Sequence, residues 1–263
     1  MANPFDQQRS LSGIRHIIAV GSGKGGVGKS TVALNLAMAL KQLDLKVGLL
    51  DADLYGPSIP SMTGTKKEKM RVHQERLVPI SKYGLKLASI GYLVDEHAPV
   101  IWRGPMLFKA IEQFLGEVDW GDLDYLVVDL PPGTGDVVLT LAQKTPVSGG
   151  IVVCTPQNLA LADAVRAVAM FKEIQIPLLG IVENMAYFKQ NEQSSAIQLF
   201  PKGQLDSYLK ENGIEKLAEV PFHPDIGLFS ESGVPLMEQG LEEGKCFAEL
   251  AQKIHLKLKK PAT

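Results

Sequence analysis

The stretch GSGKGGVGKST, residues 21–31, decides the fold of this chain. Gly23, Gly28, Lys29 and Ser30 fit the pattern G-x-x-x-x-G-K-[ST]. An apolar run precedes the stretch and a helical pattern follows it, which is the context of a phosphate-binding loop. Glycines let backbone N–H groups converge on phosphate oxygens, and the helix N-terminus adds its positive end. The pattern predicts that Lys29 binds the β- and γ-phosphates of a nucleotide and that Ser30 places its hydroxyl on Mg²⁺.

Short apolar runs alternate with helical patterns along the rest of the chain. Most runs are continuously apolar, as in strands covered on both faces. We expect strands at 16–22, 46–53, 85–91, 124–132, 149–156, 177–184 and 215–222. We expect helices at 29–43, 105–116, 136–145, 158–174, 204–212 and 244–259. This alternation predicts an α/β fold with one doubly wound, mainly parallel sheet and helices on both faces.

No linker is visible, so we expect a single P-loop domain over 1–263, with 1–12 as a flexible tail. The polar segment 63–79 is interpreted as a loop leading into a hairpin. The formal net charge is −2, which gives no electrostatic argument for nucleic acid. The chain shows no signal-peptide core and no apolar run long enough to cross a membrane. We therefore expect a cytoplasmic protein without a membrane or nucleic-acid partner.

Three acidic residues follow predicted strands, where ligands of such sheets bind. Asp51 and Asp53 come after the second strand, and Asp129 follows a four-residue apolar run. Asp51 and Asp129 are candidate Mg²⁺-site residues, and Asp53 is a candidate for orienting or deprotonating the attacking water. Turn or capping chemistry is the alternative for the first two. A structural role is the alternative for Asp129, although an acid ending a buried strand is costly unless it is used.

Besides the phosphate loop, five motifs in the order of a known family occur between residues 12 and 240. GKGGVGKST resembles the deviant phosphate loop of the MinD/ParA/nitrogenase-iron-protein superfamily of ATPases. Within that superfamily the chain resembles the Mrp (ApbC-type) family. The further motifs are DADLYGPSIPSM, VIWRGPM, DYLVVDLPPGTGD, VVCTPQNLALADAVRAVAMF and GIVENMAYF. The sequence assigns no role to Arg103 in the second of these, and Trp102 beside it is compatible with packing.

The resemblance implies an ATP-binding homodimer in which the early lysine, Lys24, reaches the partner's ATP phosphates. A solvated loop charge is the alternative for Lys24. The resemblance also implies that Asn184 reads the adenine and that Pro221 flanks it, with a strand-end cap as the alternative for Asn184. The residues implied to hold ATP or ADP are Gly23, Gly25, Gly26, Val27, Gly28, Lys29, Ser30 and Thr31.

The chain departs from the family at the cluster-binding cysteines. Mrp-type proteins carry Cys-x-x-Cys after this asparagine motif, and one pair from each subunit holds a bridging [4Fe–4S] cluster. Here Gln190 and Gln193 have that spacing, and glutamine amides are poor ligands for iron–sulfur clusters. The two cysteines, Cys154 and Cys246, are far apart in sequence. We interpret Cys154 as a buried apolar residue; two Cys246 thiols of a dimer are an alternative pair of ligands.

Three functional hypotheses follow. The first is a slow, homodimeric ATPase of Mrp type whose cluster transfer to an apo-protein client is lost, altered or dependent on partner thiols. The second is a nucleotide switch that exposes a membrane or DNA surface through the basic loop 66–76 or the terminal helix. The third is an ATP-binding adaptor without turnover, against which Lys24, Asp53 and Asp129 argue. For the terminal helix, packing on its own domain is the ordinary alternative to membrane attachment.

Overall fold

The computed structural model describes residues 8, 10–93, 104–133, 135–189, 195–201 and 203–259. The strands in this part are β1 (Ile14–Gly21), β2 (Val47–Asp51), β3 (Arg71–His73), β4 (Arg76–Val78), β5 (Ile80–Lys82), β6 (Leu85–Ser89), β7 (Leu123–Asp129), β8 (Gly149–Cys154), β9 (Leu178–Phe188) and β10 (Lys216–Phe222). The helices are α1 (Lys29–Lys41), α2 (Ile59–Met62), α3 (Gly104–Gly116), α4 (Asp136–Lys144), α5 (Asn158–Glu173), α6 (Leu205–Asn212), α7 (Pro224–Ser232) and α8 (Lys245–Lys259).

Eight of these strands form one sheet in the order β10-β9-β8-β1-β7-β2-β6-β5. All neighbours pair in parallel except β5, which is antiparallel to β6. The β1–β2 and β8–β9 connections run in opposite directions across the sheet, so right-handed crossovers place their helices on opposite faces. The predicted doubly wound, mainly parallel α/β fold is confirmed.

The central strands are buried along most of their length, which explains their continuous apolar runs. Every residue of β2 and β8 is buried, and β7 is buried apart from Asp124. Both sheet faces are therefore covered, as in other parallel sheets. The predicted polar insertion contains a separate two-stranded hairpin of β3 and β4, so the hairpin lies inside segment 63–79. Its strand residues are exposed apart from the half-buried Leu77.

The terminal helix α8 packs on its own chain, against α1 and β10. Its buried stripe consists of Phe247, Leu250, Ala251 and Ile254. The packing interpretation is therefore confirmed, and this stripe is not available as a membrane-binding face in this conformation. Among the described residues, the helices are too short or too polar to span a bilayer.

Several expectations lie outside the described residues. These are most of the predicted N-terminal tail, Trp102 and Arg103, and the two glutamines at the cysteine spacing, Gln190 and Gln193.

Candidate nucleotide site

The predicted phosphate loop lies between β1 and α1, and its glycines serve two different purposes. Gly26 and Gly28 have φ of 78° and 82°, in the left-handed region that favours glycine. A Cβ at Gly23 would lie 2.0 Å from the carbonyl oxygen of Asp163 in α5, so this glycine permits close packing. Gly25 and Gly26 are exposed, and a Cβ at either would meet nothing within 4 Å. The exposed backbone at these two positions leaves room for a ligand to approach.

The first turn of α1 is open to an anion. Gly28 is the N-cap residue and supplies no side-chain capping bond. The first N–H groups of a helix lack intrahelical partners, and with the helix dipole they favour a phosphate. The sequence thus creates a phosphate cradle by placing a glycine where most helices carry a capping side chain.

Asn184 supports the loop from below. Its Nδ2 donates to the carbonyl oxygen of Val27 at 2.8 Å, and the residue is 5% exposed. Strand β9 continues to Phe188, four residues beyond the predicted end, so Asn184 lies inside a strand and the strand-end cap interpretation is wrong. A Cβ on residue 28 would lie 2.1 Å from this Nδ2. The loop can therefore lie this close to Asn184 because residue 28 is a glycine. The adenine-reading role of Asn184 stays a prediction.

The floor of the site consists of Lys29, Asp51 and Asp129. Lys29 is 6% exposed, and its Nζ lies 2.5 Å from Asp129 Oδ1. Asp51 and Asp129 are the last residues of the neighbouring strands β2 and β7 and pair in register. Both aspartates are fully buried. The parallel register therefore brings two carboxylates and one ammonium together below the loop.

Asp51 also organises the chain that follows β2. Its Oδ1 accepts a hydrogen bond from the backbone N–H of Asp53 at 3.2 Å. Its Oδ2 accepts from the N–H of Ile59 at 3.1 Å and from the Ser89 hydroxyl at 3.2 Å. The turn interpretation and the metal-site interpretation of Asp51 are therefore compatible. The same carboxylate binds the backbone of the following turn and lies beside Asp129.

The floor places two buried carboxyl groups beside one buried ammonium. Burial, and then the nearby Asp129 carboxylate, raise the pKa of Asp51 to about 8. Burial also raises the pKa of Asp129, against the opposing effect of Lys29. Within the described part of the chain, Asp129 Oδ2 is buried without a hydrogen-bond partner. A buried carboxylate oxygen without a partner is a ligand that suits a hard divalent cation.

The donor set fits Mg²⁺ held jointly with a nucleotide. The Ser30 hydroxyl lies 3.4 Å from Lys29 Nζ, beside the Lys29–Asp129 pair. Among the described residues, no group of three or more His, Cys, Asp or Glu side chains forms a metal cage. Mg²⁺ usually combines one or two carboxylates with phosphates and water rather than an all-protein cage. Asp51, Asp129 and Ser30 are therefore suited to a phosphate-bound Mg²⁺.

A cavity of about 360 Å³ lies above this floor. The predicted residues that line it are Lys24, Gly25, Gly26, Gly28, Lys29, Ser30, Thr31 and Asp53. The predicted residues that do not line it are Gly23, Val27, Asp51, Asp129 and Asn184, and the two aspartates lie buried beneath it. Pro221 lines a different cavity of about 690 Å³, together with Tyr187, His223 and Cys246.

The cavity wall also contains residues that the sequence interpretation missed. Ser61 and Met62 come from α2, and Ser230 and Glu231 come from α7. The signal for α7 was present: His223 caps the helix, Pro224 is its first residue and Gly233 is its left-handed C-cap. The short α2 carries related signals, Ser58 at its N-cap position and a proline in its first turn, but it has only four residues.

Lys24 and Asp53 both line the cavity. Lys24 is half-buried, and among the described residues no hydrogen bond or ion pair of its ammonium is found. Its backbone carbonyl accepts from the Ser22 hydroxyl at 2.9 Å, which anchors the loop there. Asp53 Oδ1 accepts from the N–H of Gly56 at 3.2 Å. The hydrogen bond from Ser22 therefore fixes the backbone of Lys24, whereas the ammonium has no partner among the described residues.

Neither cysteine is a thiolate near neutral pH. Cys154 ends β8 and is 3% exposed, and burial raises its pKa to about 12. Cys246 lies in α8, where its thiol donates to the carbonyl oxygen of Glu243 at 3.2 Å; burial raises its pKa to about 12. The interpretation of Cys154 as a buried apolar residue is confirmed. Iron–sulfur clusters require thiolates, so neither residue is prepared as a ligand in this conformation.

Comparisons with known proteins agree with this geometry. The iron-sulfur cluster carrier protein of Aquifex aeolicus is 50% identical over 253 residues, which are 95% of this chain and 70% of that protein. The iron-sulfur cluster transfer protein NUBPL of Mus musculus is 41% identical over 263 residues, covering 98% of this chain and 82% of that protein.

Solved structures show the same fold. A nucleotide-binding protein from Archaeoglobus fulgidus in complex with ADP has a TM-score of 0.78 at 38% identity, covering 94% of this chain and 98% of its own. The cell division protein MinD of Aquifex aeolicus has a TM-score of 0.67 at 19% identity, covering 94% and 99%. The ParA family profile, described as NUBPL iron-transfer P-loop NTPase, matches residues 13–255. This chain belongs to the ParA/NUBPL iron-transfer P-loop NTPase family.

Proposed function

We propose that this chain is a slow, Mg²⁺-dependent ATPase that works as a homodimer across its nucleotide. We also propose that it takes part in iron–sulfur cluster transfer with thiols supplied by a client. The observation that carries the proposal is the contrast between two lysines of one loop. Lys29 is buried and paired with Asp129, whereas the ammonium of Lys24, which lines the cavity, has no partner among the described residues.

The floor residues account for nucleotide binding. Lys29 and the N-terminus of α1 neutralise the β- and γ-phosphates. Asp51, Asp129 and Ser30 would hold a phosphate-bound Mg²⁺, which would neutralise charge on the phosphate oxygens. Asp53, which lines the cavity, orients the attacking water through its free carboxylate oxygen. A bound Mg²⁺ would also give a partner to the unpaired Oδ2 of Asp129.

Lys24 accounts for the homodimer. A cation that enters the partner's site only on closure stabilises transition-state charge in the manner of an arginine finger. Hydrolysis then depends on assembly, which is typical of a switch. ATP binding favours the dimer because the phosphates are shared between two subunits.

Lys24→Ala tests this function against the matched variant Lys172→Ala, which removes an exposed lysine near the end of α5. We expect Lys24→Ala to bind ATP with nearly normal affinity while losing ATP-dependent dimerisation and roughly 100-fold or more in hydrolysis rate. Fluorescent-nucleotide titration, analytical ultracentrifugation and phosphate release measure the three properties. Lys172→Ala should resemble the wild type in all of them. Normal dimerisation and turnover by Lys24→Ala would contradict the proposal.

The cargo assignment follows from the relatives and the cysteine chemistry together. Two relatives are named as cluster carrier and transfer proteins, whereas this chain has two cysteines, both held as thiols by burial. We therefore place the cluster, as cargo, on thiolates of a client protein rather than on this chain alone.

Anaerobic reconstitution with iron and sulfide tests the cargo assignment. The isolated protein should bind no stable cluster, with or without ATP, as measured by iron content and absorbance. Cys154→Ala and Cys246→Ala should behave in the same way. A stable cluster on the wild type that is lost in Cys246→Ala would show that a dimer of this chain supplies the ligands by itself, and would contradict the assignment.

A further inference from the structure

The nucleotide cavity is lined by a serine whose hydroxyl has no hydrogen-bond partner. Ser58 lies in the segment between β2 and α2 and lines the cavity. Its Oγ is buried, and among the described residues no group donates to it or accepts from it. Burying a hydroxyl without a partner costs free energy, so such groups are rare in folded proteins. A ligand that supplies the missing hydrogen bond would remove this cost.

The usual role of a serine at this position does not account for Ser58. The residue directly precedes α2, where a serine side chain commonly accepts a hydrogen bond from the first turn of the helix. Here the hydroxyl makes no such bond. The backbone is nevertheless fixed, because the carbonyl oxygen of Ser58 accepts from the N–H of Met62 at 3.0 Å and the N–H of Ile59 donates to Asp51 Oδ2 at 3.1 Å. The fold therefore holds Ser58 in place without using its hydroxyl.

Unpartnered buried atoms mark the nucleotide site at two points. In the described part of the chain, the buried side-chain atoms without a partner are Ser58 Oγ, Asp129 Oδ2 and Thr145 Oγ1. Asp129 belongs to the floor of the site, beside Lys29. Thr145 lies elsewhere, in a cavity of about 140 Å³ that it shares with Ile14, the first residue of β1. The phosphate loop follows the other end of β1, so Thr145 provides a comparison outside the site.

The strand order indicates which part of a nucleotide meets Ser58. The phosphate loop follows β1, and β2 lies two strands away, about 10 Å across the sheet. Strands β9 and β10, which carry the proposed base contacts Asn184 and Pro221, lie on the opposite side of β1. A nucleotide with its base towards β9 therefore has its terminal phosphate towards β2. Ser58 and Asp53 both line the cavity from the segment that follows β2.

We propose that the Ser58 hydroxyl donates a hydrogen bond to a γ-phosphate oxygen of bound ATP and so makes the site prefer ATP to ADP. This inference rests on the proposed ATPase function and adds the residue that distinguishes its substrate from its product. Rotation about χ1 brings a serine hydroxyl to a ligand without movement of the backbone. A hydrogen bond to an anionic oxygen is stronger than one between neutral groups. Loss of the γ-phosphate on hydrolysis returns the hydroxyl to its unpartnered state, which disfavours the ADP complex relative to the ATP complex.

Ser58→Ala tests the proposal with a combination of effects that a structural serine does not produce. Without nucleotide, the variant should melt at the wild-type temperature or above it, because it lacks a buried hydroxyl that has no partner. With Mg²⁺, its affinity for a non-hydrolysable ATP analogue should fall about 10-fold or more, whereas its affinity for ADP should change by less than about twofold. Scanning calorimetry and isothermal titration calorimetry measure these properties. Ser58→Thr, which keeps a hydroxyl, should retain the preference for the ATP analogue.

Thr145→Val is the matched control, because it also removes a buried hydroxyl that has no partner in the described part of the chain. Its melting temperature without nucleotide should likewise equal or exceed that of the wild type. Its affinities for the ATP analogue and for ADP should both stay at the wild-type values, because Thr145 lies at the other end of β1 from the phosphate loop.

Three results would overturn the proposal. Ser58→Ala might retain the wild-type ratio of the two affinities, or lose affinity for the ATP analogue and for ADP to the same extent. A melting temperature clearly below that of the wild type without nucleotide would show that the hydroxyl has a structural partner. A wild-type protein that binds neither the ATP analogue nor ADP would instead refute the proposed ATPase function, so the two failures are distinguishable.

Discussion

The floor and the rim of the nucleotide cavity differ in how completely one chain satisfies their charges. At the floor, Lys29 is 6% exposed and paired with Asp129, whose neighbour Asp51 accepts three hydrogen bonds. At the rim, which here means the cavity-lining residues Lys24, Ser230 and Glu231, the ammonium of Lys24 has no such partner among the described residues. Both lysines come from one short loop. The floor is therefore built within one chain, whereas the rim is compatible with completion by another molecule.

Lys29→Ala should produce the largest effect and separate the floor from the rim. Removing the buried cation leaves the buried carboxylate of Asp129 without its ion-pair partner, which costs on the order of 3 kcal/mol in the free energy of unfolding. Loss of charge-assisted hydrogen bonds to phosphate should weaken ATP binding by about 100-fold. Urea unfolding and nucleotide titration measure the two effects.

The matched rim variant is Lys24→Ala, for which the free energy of unfolding should change by less than about 0.5 kcal/mol. Equal destabilisation by the two substitutions would show that floor and rim do not differ in this way. If Lys29→Ala has the wild-type free energy of unfolding, the buried Lys29–Asp129 pair makes no net contribution to stability.

The pH dependence of the free energy of unfolding should reveal the raised pKa of the buried Asp51 carboxyl group. Burial raises the pKa of Asp51 from 3.8 to about 8, so the folded protein retains a proton that the unfolded chain releases. Between about pH 4 and pH 8 the unfolded chain binds fewer protons, and this group makes the free energy of unfolding fall as pH rises. Asp51→Asn should flatten that slope in protein free of nucleotide and Mg²⁺. Urea unfolding at several pH values measures it.

The control for this measurement is Asp119→Asn, which changes an exposed aspartate. Burial lowers the pKa of His16 and of His255, so these groups contribute a slope of the opposite sign below about pH 6.5. The comparison must therefore be the difference between variant and wild type, in which the histidine contribution cancels. A variant that keeps the full wild-type slope would exclude Asp51 as its source.

Ser230→Ala should produce the smallest effect on stability and on ATP affinity. The Ser230 hydroxyl already donates to the carbonyl oxygen of Ile226 within α7, at 2.8 Å. We expect the melting temperature to stay nearly constant and ATP affinity to change by less than about threefold. Calorimetry and nucleotide titration check this. A much larger loss of affinity would place Ser230 in direct contact with the nucleotide.

The secondary structure was largely predictable because its signals are local. The seven predicted strands and six predicted helices all occur, with most ends within one to three residues. Continuous apolar runs, glycines at the loop and amphipathic periodicity are properties of neighbouring residues. The helices α2 and α7 were missed; α2 has four residues and α7 buries none, so neither has a clear apolar stripe.

The site was predictable where a motif specifies it and not where distant segments meet. The loop pattern by itself predicts a phosphate site at residues 23–31, because backbone geometry and helix polarity are encoded there. Only the tertiary structure decided that Asp51 and Asp129 share one buried floor, since strand register sets that contact. The tertiary structure also decided that Asn184 donates a hydrogen bond to the carbonyl oxygen of Val27 and that Glu231 of α7 lines the cavity. These contacts join segments up to about two hundred residues apart, and such separations are governed by packing of the whole sheet rather than by local sequence.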